Sequence, residues 1–420
     1  MKVGYFIAEF PGQTHIFFWR ERRALSDLGI DTRLISTRLP KKQLMSHDWA
    51  AEAIAQTAYL WPFTLSDFFA STWNVFTAGP IGWFRCLRAI VQSEGMTFKK
   101  RLLLFAMVLM AGKLRRIARR SGWSHVHVHF IADAAHIAMF AHLLGGITYS
   151  LSLHAPLAEY GPNQRLKWKW ATFGTVITRR LMSALKEELP DVVPARLALA
   201  PMGVEVDQFK RPSPYQPWRG QGDAVLFSCG RLSPSKGHEF LIEAVRLLVD
   251  RGLNVKLTIA GEDKLGGQGY RQVLQRIAGE QGISDKVHFL GAVSEPVIFA
   301  ELCRAHVFVL ASLAEALGVA YMEAMATSTP TVGTNAGGVP ELIDDRVDGR
   351  LVPPQDALAL ADAIEQILRD PELAMKLSEA GRKKVVERFS SRNSAETLAS
   401  CLRETLSDRL KSPTTETTIA

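Results

Sequence analysis

The chain has 420 residues, 47% apolar and 22% charged, which suits two globular domains and excludes a disordered chain. Its net charge of +8 favours anionic partners such as nucleotides or phospholipid surfaces. The four cysteines (Cys86, Cys229, Cys303, Cys401) show no metal-ligand spacing and read as reduced cytosolic thiols. No apolar run reaches the roughly 18 residues of a transmembrane helix, and Pro11–Gly12 breaks the N-terminal run before signal-peptide length.

Val3–Ala8 reads as a buried first strand, Pro11–Gly12 as a turn and Ile16–Leu28 as a helix ending at Gly29. Gly12 is either a place where substrate nears the backbone or an ordinary turn glycine. Residues 57–120 are rich in aromatic side chains, Trp61, Phe69, Trp73 and Trp83 among them. They run into TFKKRLLLFAMVLMAGKLRRIARR, an apolar stretch between two basic clusters. Such a basic amphipathic helix can lie in the headgroup plane of an anionic bilayer, or it packs inside a domain with solvated basic ends. Nucleic acid is not expected, because no recognised reading module accompanies the charge.

In HVHVHF, His125, His127 and His129 alternate and would share one face of a strand. That invites a metal site, yet only Asp133 and His136 lie near as further ligands, so a buried parallel strand competes with it. A helix over Ala132–Leu144 and a strand over Ile147–Leu153 follow. His154 then stands at the C-terminal end of that strand, where doubly wound sheets bind ligands, although a lone histidine is also read as structural. The Pro-rich passage Gly203–Pro217 marks the domain boundary.

The second half opens with a strand, Ala224–Ser228, running into CGRLSPSKG and a helix over Glu239–Asp250. Arg231 and Lys236 beside a helix start can neutralise a diphosphate, Arg231 by its fork and Lys236 as a mobile point charge. A surface Arg–Lys pair is the plainer reading. After the strand Val255–Ala260, the glycines of GEDKLGGQGY do not fall in the G-x-G-x-x-G register. The strand His306–Leu310 feeds Ala311–Ala326, a turn holding Glu315, Leu317 and Gly318 and then an amphipathic helix carrying Glu323. Unpaired N–H groups and the positive end of the helix dipole suit a phosphate there, and Gly318 leaves room for it. Glu315 and Glu323 would be repelled by phosphate, so they suit hydroxyl donors. A diphosphate flanked by two sugars, that is a nucleotide sugar, would satisfy the whole element; two glutamates on a solvated face are the alternative. Helices close the chain over Ala357–Arg369, Pro371–Glu387 and Asn393–Leu410, followed by a polar tail expected to be disordered.

The spacing from Glu315 to Glu323 resembles the E-x7-E signature of retaining glycosyltransferases of family 4, which have the GT-B fold. CGRLSPSKG resembles that family's G-R-L-x-x-x-K-G loop, and NAGGVPELI its T-x-x-G-G-x-P-E segment. SLHAPLAEYGP resembles the segment whose histidine contacts the transferred sugar, with Ala155 replacing the commoner Gly or Asp. FPGQTHIFFWRERRAL is similar to the opening of the exopolysaccharide branch, with His15 where Glu is commoner. The resemblance spans most of residues 1–408 and is strongest over 224–355.

It implies an α/β fold of two Rossmann-like domains with parallel sheets facing across a cleft. The N-terminal acceptor-side domain would cover 1–203 and the nucleotide-sugar domain 204–390. A helix over 391–410 would cross back, and 411–420 would be disordered. The implied activity is metal-independent transfer, with retention, of a sugar from a UDP- or GDP-linked donor, with no prosthetic group. The acceptor would be a glycan or polyprenyl-linked glycan in exopolysaccharide or envelope polysaccharide synthesis. The enzyme would be peripheral on the cytoplasmic face of an anionic membrane. Arg231, Lys236 and the amides at Gly318 would stabilise the departing diphosphate. Glu315 would orient the sugar, His154 would contact it, and Glu323 with Leu317 would hold the ribose side. Gly291 would meet the base through its backbone, and Gly12 would face the acceptor. The rival readings are a GT-B sugar-nucleotide epimerase, an NAD-dependent oxidoreductase and a non-catalytic membrane scaffold.

Overall fold

The structure, a computed structural model, describes residues 1–12, 14–40 and 49–411, with side chains as far as 407. The tail expected to be disordered lies outside the described residues from 412 onward. The chain forms two compact units. The first takes in Met1–Pro40, Ala51–Pro201 and the chain from Arg392, and the second Met202–Ser391.

The first unit is built on seven parallel strands: β1 (Lys2–Glu9), β2 (Asp31–Arg38), β3 (Ala58–Tyr59), β4 (His125–His129), β5 (Thr148–Leu153), β6 (Gly174–Val176) and β7 (Leu197–Leu199). Their order is β3-β2-β1-β4-β5-β6-β7. Runs such as Val3–Ile7 and Thr148–Leu153 are buried residue after residue, as a sheet covered on both faces requires. The chain leaves β1 toward one edge and resumes at β4 on the other side, so β1 and β4 flank a topological switch point.

Three helices stand between β3 and β4: Leu65–Phe76, Gly79–Val91 and Phe98–Ser121. The sequence reading assigned only the third. The first is set by a capping box, in which the Thr64 hydroxyl accepts from Asp67 N at 3.0 Å and the Asp67 carboxylate accepts from Thr64 N. The third starts on Thr97 and ends on Gly122, whose φ of 71° is left-handed. The last helix, Ser391–Lys411, is bound into the first unit by Ser394 Oγ donating to Glu21 at 2.9 Å and Arg403 donating to Leu28 O at 2.7 Å.

The second unit holds six parallel strands: β8 (Ala224–Cys229), β9 (Val255–Ala260), β10 (Val287–Gly291), β11 (Val307–Leu310), β12 (Thr331–Thr334) and β13 (Arg350–Val352). The order β10-β9-β8-β11-β12-β13 puts its switch point between β8 and β11. One local expectation differs. The helix Val319–Ala326 is not amphipathic but buried from Tyr321 to Ala326, because β11, β12 and the helix Pro371–Arg388 enclose it. Among the described residues no helix is long and apolar enough to cross a membrane.

Gly112 is where the helix Phe98–Ser121 meets the helix Leu65–Phe76: a β-carbon there would lie 2.5 Å from the Ser71 carbonyl oxygen. Gly112→Ala is expected to lower stability by about 1–3 kcal/mol through overpacking, read as a fall in thermal midpoint. An unchanged midpoint would contradict this close crossing.

Candidate functional site

In the second unit, three strand ends converge on Glu315. The turn after β8 carries Arg231 and Lys236, and Lys236 Nζ donates to Glu315 Oε2 with both side chains largely buried. The same turn is fastened to the one after β11 by Leu313 N donating to Ser235 O at 2.9 Å. Gly237 makes this contact possible: its φ is 61°, and a β-carbon would sit 2.0 Å from Ala311 O. The turn after β12 closes from the other side, with Gly338 N donating to Glu315 O at 2.9 Å. Gly337, at φ 60°, has its open face only 1.8 Å from that carbonyl oxygen. The glycine pair of NAGGVPELI thus serves first to let its own backbone reach Glu315.

Gly318 precedes the helix Val319–Ala326 at a φ of 95°, and its open face lies 2.4 Å from the Tyr321 ring. The ring also fills the open face of Gly333, and its hydroxyl donates to Leu310 O at 2.6 Å. One tyrosine therefore locks the strand end to the helix start. Ahead of the first intrahelical bond, Met322 N to Gly318 O, the N–H groups of Val319 and Ala320 have no backbone acceptor among the described residues. With the helix dipole they favour an anion. Leu317 is buried beneath this turn, and Glu323 is buried one turn further along.

Arg231 is exposed, and no hydrogen bond or ion pair holds it among the described residues. Burial, and then the Glu323 carboxylate, push the Cys229 thiol far up, so it stays protonated beside the site. His238, the first residue of the following helix, is pushed down to about 3 by burial and then by Lys236, and is neutral. The cations here are therefore Arg231 and Lys236.

Gly291 ends β10 at a φ of 74° and accepts from Gly261 N at 2.8 Å. Gly261 in turn presses its open face to within 1.8 Å of Gly230 O, in the turn bearing Arg231. The loop beyond it is wound around Asp263, whose carboxylate accepts from the N–H groups of Leu265, Gly267, Gly269 and Arg271 at 2.8–3.1 Å. Burial works to raise the pKa of Asp263, but those four bonds together hold it below the usual carboxylate range. The glycine-rich loop is thus shaped by a carboxylate, which is why it lacks the dinucleotide register.

The other two expected residues belong to the first unit, near its own switch point. His154, after β5, has Nε2 3.0 Å from His129 Nδ1 and 3.0 Å from Ser152 Oγ, and Nδ1 has no partner among the described residues. Phe17, Phe18 and Phe130 pack around its ring. Burial, and then His15, push its pKa down to about 3, so the imidazole is neutral. Gly12 is buried, and the His15 ring occupies its open face at 2.8 Å, which gives this glycine a packing role.

His125, His127 and His129 do share one buried face, and hydroxyls meet both ring nitrogens of His125 but only Nδ1 of His127. His125 lies 2.8 Å from Thr148 Oγ1 and 2.9 Å from Ser150 Oγ, which also meets His127 Nδ1 at 2.7 Å. No group of three or more His, Cys, Asp or Glu side chains that could hold a metal occurs among the described residues. Glu21 was missed by the sequence reading. It lies 3.7 Å from His129 Nε2, accepts from Tyr5 and Ser394 at 2.9 Å each, and burial raises its pKa. A lone glutamate in an amphipathic helix carries no spacing signal for such a place.

Residues 216–384 match the family model of glycosyl transferases group 1. Among similar proteins, the alpha-D-kanosaminyltransferase of Streptomyces kanamyceticus is 32% identical over 43% of this chain and 45% of its own. A GDP-mannose-dependent alpha-(1-6)-phosphatidylinositol monomannoside mannosyltransferase of Mycolicibacterium smegmatis is 33% identical over 50% of this chain and 56% of its own. The chain thus spans about half the length of the curated relatives it matches. HepE of Anabaena, solved with UDP-glucose, superposes with a TM-score of 0.71 at 16% identity, over 96% of this chain and 100% of its own. A glycosyltransferase of Rickettsia africae gives 0.71 at 17% identity, over 96% and 99%. The fold is that of the GT-B glycosyltransferases, and residues 216–384 are similar to the glycosyl transferases group 1 family.

Proposed function

We propose that the protein transfers a sugar, with retention at the anomeric carbon, from a UDP- or GDP-linked donor to a glycan or polyprenyl-linked acceptor. The observation that carries this reading is the convergence of three strand-end turns on Glu315, with Lys236 bonded to it and an open helix start beside it. A diphosphate entering there competes with the Glu315 carboxylate for Lys236, and Arg231 adds a second cation. Together they offset the charge that grows on the leaving group, without requiring a metal or a prosthetic group. Glu315, relieved of Lys236, accepts from the hydroxyls of the donor sugar, while Glu323 holds the ribose.

In the reaction the bond from the anomeric carbon to the diphosphate oxygen breaks, and the acceptor oxygen bonds to that carbon on the same face. The acceptor's proton passes to the departing phosphate oxygen, so no protein base is required. His154, a neutral imidazole with an unpartnered Nδ1, contacts the transferred sugar by hydrogen bonding rather than by charge. The setting is exopolysaccharide or envelope polysaccharide synthesis at the cytoplasmic face of a membrane, with the protein peripheral to it. The relatives named for kanosaminyl transfer and for GDP-mannose-dependent mannosyl transfer support the class of reaction.

Glu315→Gln should lower turnover about 100-fold while nucleoside diphosphate affinity stays within about threefold, measured by nucleoside diphosphate release and by titration. Unchanged turnover would remove Glu315 from the chemistry. Release of an epimerised sugar nucleotide without acceptor would favour an epimerase instead. Because the pKa of His154 is depressed, its ring should remain neutral as pH falls from 8 to about 5, read by nitrogen shifts of the labelled imidazole. A midpoint near 6.5 would contradict the neutral contact.

A further inference from the structure

The helix Leu65–Phe76 is turned inside out. Its buried residues are Ser71 and Asn74, both polar, while Leu65, Phe68, Phe69, Trp73 and Phe76 are exposed. Leu65, Phe69, Trp73 and Phe76 follow one another at helical spacing, and Phe69 and Trp73 are 69% and 65% exposed. The next helix, Gly79–Val91, buries Gly82, Cys86, Ala89 and Ile90 and exposes Ile81, Phe84 and Leu87. The two exposed faces join: the Trp73 and Phe76 rings stack at 6.0 Å, and Phe76 meets Trp83 at 5.5 Å. The first two turns of the helix Phe98–Ser121 add Phe98, 77% exposed, with Leu102 and Phe105. Water-exposed apolar surface on this scale, gathered on three neighbouring helices, marks a contact surface.

The charges divide into two sets. Those in the second half of the helix Phe98–Ser121 are largely internal. Lys113 pairs with Asp67 at 2.9 Å, Arg116 joins that carboxylate at 3.3 Å, and Arg115 donates to Asn74 O at 2.6 Å. They hold the three-helix insertion together, while Arg119 and Arg120 beyond them are exposed. The exposed charges nearest the aromatic faces are Arg85, Arg88, Lys99 and Lys100, with Arg119 and Arg120 at the far end of the third helix, against the exposed acid Glu94.

We propose that this aromatic pad seats in an anionic phospholipid bilayer. Trp73, Phe76 and Phe69 enter the acyl boundary, and Arg85, Arg88, Lys99 and Lys100 meet lipid phosphates. Charge complementarity selects this occupant. A second copy of the chain would bring the same positive rim against itself, whereas an anionic bilayer satisfies both the apolar pad and its rim. The inference deepens the proposed function by naming the surface that meets the membrane. Its test reads lipid binding alone, so a failure of the transferase reading leaves it standing.

The test is co-flotation of the whole protein with vesicles of phosphatidylcholine alone and of phosphatidylcholine with phosphatidylglycerol, at low and high salt. Wild type should float with the anionic vesicles at least tenfold more than with neutral ones. Lys99→Glu with Lys100→Glu should abolish that preference. Phe69→Ser with Trp73→Ser and Phe76→Ser should lose at least tenfold even at low salt. These side chains are exposed, so the triple variant should keep the wild-type circular dichroism. Absence of wild-type flotation would overturn the proposal, as would full binding by the triple variant. So would a wild-type dimer in light scattering that the triple variant dissolves while lipid binding is nil.

Discussion

The carboxylate of Glu315 is the point on which the second unit's strand ends depend. Its side chain is bonded to Lys236 from the turn after β8, and its backbone carbonyl accepts from Gly338 in the turn after β12. A part-buried ion pair contributes little net stability, because desolvation of both charges cancels much of the attraction. Its value lies in position. Lys236 is the cation that a diphosphate would seek, so the arrival of one anion alters the partner of another. In the proposed reaction, such a site would couple recognition of phosphate to the freeing of the Glu315 carboxylate for the donor sugar.

The geometry around Glu315 is made possible by the absence of side chains. Gly237, Gly261 and Gly337 each bring one turn's backbone into contact with the next, at separations that a β-carbon would prohibit. The first unit solves a related problem with polar side chains. Its His125–His127–His129 face meets Thr148, Ser150, His154 and Glu21, and burial keeps the His127 and His129 imidazoles neutral. Burial depresses the basicity of His127 and His129 well below that of a free imidazole, with the neighbouring imidazoles adding to the effect.

Much of this was legible in the sequence. Unbroken apolar strands followed by turns with Gly, Lys and Glu identified parallel sheets, and the order of motifs placed Arg231, Lys236 and Glu315 on neighbouring turns, with Glu323 in the helix that follows. What escaped had physical causes. The helix Leu65–Phe76 carries its apolar stripe on the solvent side, and no periodicity distinguishes an outward stripe from an inward one. The helix Val319–Ala326 is buried around its whole circumference, so its few polar residues misled. Glu21 acts through a contact with a strand more than a hundred residues away, and Asp263 through four backbone donors. Neither leaves a local spacing to read.

The account rests on a nucleoside diphosphate being held at the turns after β8 and β11. Calorimetric titration of the whole protein with UDP, GDP and NAD, without added metal, addresses this most directly. The account predicts micromolar binding of one nucleoside diphosphate, weakened at least tenfold by Lys236→Ala. Binding of NAD alone, or nucleotide binding indifferent to Lys236, would contradict it.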